Sequence, residues 1–188
     1  MSTTEAVRLG PAREGSPRDM PSRDMPSRDM PSRDMPSRDM PSRDMEVFLT
    51  LTVGGQLCCV PVQRVRDVLL PQATTPIPLA PPEIAGSLNL RGRIVTAMDL
   101  RRRLRLPARP AGAPCPMAVV VEQGSELYAL LVDGVGDVVP LTIGEAAPNP
   151  PTLEPVWRET SRGVFRGMAG EEGQLLILLD VDRLLAIG

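Results

Sequence analysis

The chain has no histidine and no lysine; all 21 of its basic side chains are arginine. Without an imidazole there is no histidine general base, no histidine-activated nucleophile, no histidine metal ligand and no phosphoacceptor histidine. Cysteine is scarce. Cys58, Cys59 and Cys115 show no Cys-x-x-Cys spacing and cannot build a zinc site without histidine. Each is expected to be a small buried apolar residue, in a reducing compartment. Aromatic residues are only Phe48, Tyr128, Trp157 and Phe165, so any core must be aliphatic. The net charge of -2 gives no global basic footprint for nucleic acid. No apolar run approaches the ~18 residues of a membrane helix, and the N-terminus lacks the apolar core of a signal peptide. A cytoplasmic protein without direct membrane insertion is expected.

Catalytic constellations are equally thin. The carboxylate pairs Asp133/Asp137 and Asp180/Asp182 fall at strand or helix ends, where turn and cap roles account for them. Ser87 and Ser161 have no base, and no glycine-rich phosphate loop joins a strand to a helix. The chain reads as no enzyme, with no catalytic residue, metal or cofactor. Arg91, Arg93, Arg101, Arg102, Arg103, Arg105 and Arg109 form a local basic stretch. With so few aromatic residues to stack bases, a solvated helix face or an acidic protein partner fits it better than single-stranded nucleic acid.

What is present begins with a repeat. PSRDM recurs in tandem from Pro21 to Met45, after a permuted copy at Ser16–Met20. A proline every fifth residue blocks helix and ladder alike, and one Arg and one Asp per unit cancel. Residues 1–45 therefore read as a disordered tail.

From Glu46 onward the pattern is one of short strands. Val47, Leu49, Leu51 and Val53 alternate with Phe48, Thr50 and Thr52 as a half-buried strand. Gly54-Gly55 turns the chain into Gln56–Val60. Pro61 opens a short turn with Val62 and Val65 on one side, and Val68–Leu70 continues as strand. The stretch Pro82–Leu106 holds two strands around Arg91-Gly92, then a helix capped by Asp99. A Pro/Ala/Gly connector leads to strands at Met117–Glu122, Glu126–Val132 and Val135–Leu141. A proline-rich loop, a hairpin turning at Gly170–Gly173, and a helix capped by Asp180 close the chain.

The halves echo each other. LCCVPVQRVRDVL (Leu57–Leu69) lies over LYALLVDGVGDVV (Leu127–Val139) without a gap, and Gly86, Gly92, Asp99 and Leu104 match Gly167, Gly173, Asp180 and Leu185. Each half is too small to bury much apolar surface alone, so the two share a core. Matched positions belong to the fold. Arg91, whose counterpart is Glu172, is the better candidate for function.

Gly-Ser-Leu-Asn-Leu-Arg-Gly followed by Asp-Leu-Arg, with VxxVxDV, VDGVGDVV and the closing DVDRLL, resembles the CheW family of bacterial chemotaxis coupling proteins over about residues 46–187. The resemblance implies a mainly β fold of two packed, five-stranded SH3-like barrels with short helices, here a first barrel over about 46–106 and a second over about 117–188. It implies a non-enzymatic adaptor recruited to membrane receptor arrays. Its partners would be the hairpin tips of chemoreceptors and the regulatory domain of a CheA-type histidine kinase. A receptor groove is implied at Val62, Val65, Val135 and Val138, with Met117 at its margin. Arg91 and Asp67 match an arginine and an acid that pair in the family, where the acid is often the longer Glu. The kinase side would take in Asp67, Gly86, Asn89, Arg91 and Gly92. Tyr or Phe is common where Cys58 stands. The alternatives are a scaffold for another chemosensory output, such as gliding or pili, and a small barrel binding another ligand such as single-stranded nucleic acid.

Overall fold

The computed structural model describes residues 45–166 and 174–187. The PSRDM repeats up to Asp44, Gly167 and the Gly170–Gly173 turn with Glu172 lie outside the described residues. The remainder is ten strands and three short helices. They run β1 (Met45–Val53), β2 (Gln56–Pro61), β3 (Val65–Leu69), β4 (Ile84–Leu90), β5 (Arg93–Asp99), α1 (Leu100–Arg103), β6 (Met117–Gln123), β7 (Glu126–Val132), β8 (Gly134–Thr142), α2 (Pro155–Thr160), β9 (Ser161–Arg166), β10 (Leu175–Leu179) and α3 (Val181–Leu185).

The strands form two five-stranded sheets, as expected, but the halves are not contiguous in space. One sheet has the order β8-β1-β2-β10-β9, the other β3-β6-β7-β5-β4. The opening hairpin of each half completes the sheet of the other. The division into barrels at 46–106 and 117–188 is therefore replaced by a reciprocal exchange. The joints are parallel pairings, Ile177 with Cys58 and Leu178 with Cys59 in one sheet, Thr96 with Tyr128 and Ala97 with Ala129 in the other. The gapless alignment of the halves maps the first two pairs onto the second two, so the duplication extends to strand register.

The exchange merges the cores. Strands buried on both faces send alternate residues into different clusters. Leu49, Leu51, Cys58 and Ile177 of one sheet meet Val119, Val121, Leu130 and Val132 of the other in a shared core, with Trp157, Leu100 and Leu184 from the helices. The intervening residues fill smaller interiors, one around Phe48, Cys59 and Phe165 and one around Val95, Ala97 and Val120. Phe48 and Thr50 are thus buried as well, so β1 is not the half-exposed strand its alternation suggested, and it is exposed only at its start, at Met45 and Val47. Cys58 and Cys59 are buried, and burial pushes the Cys59 thiol up to about 12 and raises Cys58 further. Cys115, expected inside, is exposed on the connector.

The helix caps sit as expected. Asp99 accepts the Arg101 N–H at 2.9 Å, and Asp180 those of Asp182 and Arg183 at 3.0 and 3.1 Å. The proline-rich loop contains the unexpected helix α2. Pro155 opens it where a missing N–H costs nothing, and Val156 and Trp157 bury its inner face.

Candidate functional site

The strands β3 and β8, related by the duplication, each form one of the two edges of their sheet. A cleft of about 180 Å³ lies between them, lined by Leu49, Val62, Val65, Val68 and Val138, with Arg66 and Asp67 at its rim. Val68 and Val138 stay 38% and 55% exposed there. Of the five residues expected in a receptor groove, Val62, Val65 and Val138 line it. Val135, opposite Leu51, and Met117, opposite Val132, are half-buried against the shared core beneath. Val68 and Leu49 were missed. Val68 was within reach, because it is the duplication partner of Val138.

Arg91 stands at the tip of the β4–β5 hairpin. Leu90 and Arg93 close a two-residue turn in which Arg91 has φ +51° and Gly92 φ +88°. These are the left-handed values of a type I′ turn. Asn89 Oδ1 accepts the Gly92 N–H at 2.7 Å and fixes the turn. A non-glycine residue held left-handed costs about 1–2 kcal/mol, so the side chain is what the site gains from having arginine there. The Arg91 guanidinium meets the Asp67 carboxylate at 3.0 Å, so the shorter acid still reaches. Since β3 and β4 are opposite edges of one sheet, this pair spans a sheet curled onto itself. Arg91 is 84% exposed, so the pair contributes little stability. It brings the hairpin tip to within 3.0 Å of Asp67, a residue of the cleft lining.

Asp67 thereby belongs to the cleft as well as to the Arg91 pair. Gly86 and Asn89 have structural explanations. Gly86 (φ +143°) sits at a bulge where a Cβ would lie 2.3 Å from the Thr75 carbonyl oxygen, and that closeness lets Thr75 and Ser87 exchange two 2.8 Å hydrogen bonds.

The local arginine stretch divides: Arg91, Arg93, Arg102 and Arg105 are exposed, as a solvated face would have it, whereas Arg101, Arg103 and Arg109 are engaged. Arg101 and Arg109 converge on Asp133, with Arg101 Nη2 at 2.8 Å and Arg109 Nη2 at 2.9 Å. The Gly54 N–H adds a 2.6 Å hydrogen bond to the same carboxylate. Burial alone would raise the Asp133 carboxyl, but the donors from Arg101, Gly54 and Arg109 outweigh it and hold the group below the usual carboxylate range. Arg103 donates to the carbonyls of Leu184, Arg183 and Ala186 at the end of α3. In the other half the charges are reversed. Asp182, the counterpart of Arg101, takes a bidentate pair from Arg64 at 2.6 and 3.0 Å, and this hydrogen bonding holds its carboxyl low. Asp133 and Asp182 are thus clasps rather than the simple turn residues expected. Among the described residues no group of three or more His, Cys, Asp or Glu side chains could hold a metal ion, and no helix is long and apolar enough to cross a membrane.

A protein-family model described as a CheW-like domain matches residues 47–187, the whole of the two-sheet unit. The chain belongs to the CheW-like family. It is 30% identical to the chemotaxis protein CheW of Klebsiella aerogenes, over 74% of this chain and 81% of that protein. To the chemotaxis protein CheW of Rhizobium meliloti it is 29% identical, over 71% and 83%. The crystal structure of the scaffolding protein TtCheW from Thermoanaerobacter tengcongensis superposes with a TM-score of 0.64 at 23% identity, covering 76% of this chain and 94% of that one. That likeness establishes the CheW fold here. The stretch outside the family match is the N-terminal repeat segment.

Proposed function

We propose that this CheW-like protein is a non-enzymatic adaptor that couples chemoreceptors to a CheA-type histidine kinase. The observation that carries the reading is the valine-lined cleft between the edge strands β3 and β8, with the Arg91–Asp67 pair at its rim. A shallow apolar cleft accepts the apolar face of a helix, and two flanking sheet edges confine its direction. The helical hairpin tip of a receptor is the occupant this shape suits. The family membership and the names of the relatives support the same pathway. On this reading the protein works in the cytoplasm and reaches the membrane arrays only through its partners. No catalytic step, cofactor or nucleic acid enters the account.

The test is direct binding of the receptor cytoplasmic fragment from the same organism. Val138 and Val68 are partly exposed, so Val138→Asp and Val68→Asp put charge into the cleft with little cost to folding. Each variant is expected to weaken receptor binding by about tenfold or more, the effect of spoiling a central apolar contact. Unchanged affinity in both variants contradicts the assignment of the cleft.

A further inference from the structure

The duplication copies the clasp, but only one copy is covered. At Asp133 the connector lies over it. Leu106 packs against Gly54, the Pro107 carbonyl accepts from Arg101 Nη1 at 2.9 Å, and Arg109 reaches the carboxylate. The gapless alignment carries Gly54 onto Gly124, Asp133 onto Gln63 and Arg101 onto Asp182. The turn is the same at the second clasp, with Gly54 at φ +63° and Gly124 at φ +61°, yet the space over Gly124 is open. Asp182 holds one guanidinium, from Arg64, where Asp133 holds two. The nearby Arg162 and Arg183 are engaged by Asp180. The Asp182 side chain therefore stays 50% exposed, against 17% for Asp133. Beside the Arg64–Asp182 pair is a hollow of about 390 Å³, with the buried Leu179 and Val181 at its floor and Gln63, Arg64 and Glu46 at its edge. Among the described residues nothing covers it.

The sequence holds a segment of the right chemistry. The cover of the first clasp reads Leu106-Pro107-Ala108-Arg109: apolar, proline, small, arginine. The same order recurs in the repeats as Met-Pro-Ser-Arg, at Met20–Arg23, Met25–Arg28, Met30–Arg33, Met35–Arg38 and Met40–Arg43. The last of these ends three residues before Glu46, so Arg43 lies within about 10 Å of the edge of the hollow. Pro41, like Pro107, restricts the backbone in advance, which lowers the entropy lost on ordering. We propose that Met40–Arg43 docks on the second clasp as Leu106–Arg109 docks on the first, with Met40 over the apolar floor of the hollow and the Arg43 guanidinium as the second cation on Asp182. The final repeat is then a cover for the domain, built on the same four-residue pattern as the connector. The inference stands apart from the adaptor reading and survives its failure.

Limited trypsin digestion of the full chain, followed by mass spectrometry, is the test. The bonds Arg28–Asp29 and Arg43–Asp44 sit in the same pentapeptide, so undocked they are cut alike. Arg43–Asp44 is expected to be cut about tenfold or more slowly than Arg28–Asp29, since cleavage follows the population of the open segment. Met40→Ser removes the apolar anchor and Asp182→Asn the acid, and each should return Arg43–Asp44 to the rate of Arg28–Asp29. The melting temperature is followed alongside. If Asp182→Asn fails to fold, Met40→Ser carries the test, because it changes no residue of either sheet. Equal rates at the two bonds in the wild type overturn the proposal. Slow cleavage at Arg43–Asp44 that persists in Met40→Ser overturns it too, since nearness to the folded domain then suffices as the cause. Slowing that appears only as the chain concentration rises assigns the seat to the repeat of a second copy, and the proposal falls.

Discussion

Asp133 concentrates several interactions in one side chain. Its carboxylate joins the turn after β1, through the Gly54 N–H, to α1 through Arg101 and to the connector through Arg109. Both guanidinium groups are mostly shielded, with 15% and 18% of their side chains exposed. Removing the acid leaves two partly buried cations without their counter-charge, which costs about 3 kcal/mol or more. Asp133→Ala should therefore lower stability to chemical denaturation by that order. The pH dependence has a definite sign. A carboxyl held below its unfolded value stabilises the fold above that value, about 3.9, and loses the contribution as pH falls through the folded value. Asp133→Asn should remove part of the acid limb of the stability profile below about pH 4. An acid limb identical to the wild type would show that the clasp carries no such linkage. Arg91 is the opposite kind of residue: exposed, strained at φ +51°, and worth little to the fold. Its charge could be singled out in the sequence because the matching position in the other half is Glu172. The partners of Asp133 could not be singled out, since Arg101 and Arg109 lie at sequence distances where nothing local links them to it.

At the scale of elements, strands, turns and caps were legible because they rest on local physics. Short apolar runs between turn residues give β2, β6 and β7, Gly54-Gly55 gives the first hairpin, and Asp99 and Asp180 give the caps. The helix α2 was hidden by prolines that signal a loop, although Pro155 at a first helical position is favourable. Strand partnership was not legible, and the duplication is the reason. Two halves with the same strand pattern can pair within themselves or reciprocally, and both schemes satisfy the same alternation. The reciprocal one merges the cores through Leu51, Cys58, Val119 and Leu130. It follows that neither half holds a complete sheet. Residues 45–106 expressed alone should lack protected amides, and mixing them with residues 113–188 should restore the spectrum of the intact domain. A cooperatively folded 45–106 fragment would contradict the exchange of strands.

For the whole molecule, the exchange sets the geometry of function. It places the related strands β3 and β8 at edges of the two sheets, flanking the valine-lined cleft. Arg91, at the hairpin tip, reaches Asp67 of the cleft lining and so joins the β4–β5 hairpin to the cleft.

Kinase autophosphorylation in a reconstituted mixture tests the account most directly. The mixture holds the CheA-type kinase and receptor cytoplasmic fragments from the same organism, with the full chain, without it, or with Arg91→Glu. Activation by receptor should require the chain. Arg91→Glu should lower that activation while leaving the melting temperature unchanged, since the exposed pair adds little to stability. Kinase activity indifferent to the chain, in the presence of receptor fragments that the kinase is competent to answer, would contradict the adaptor function.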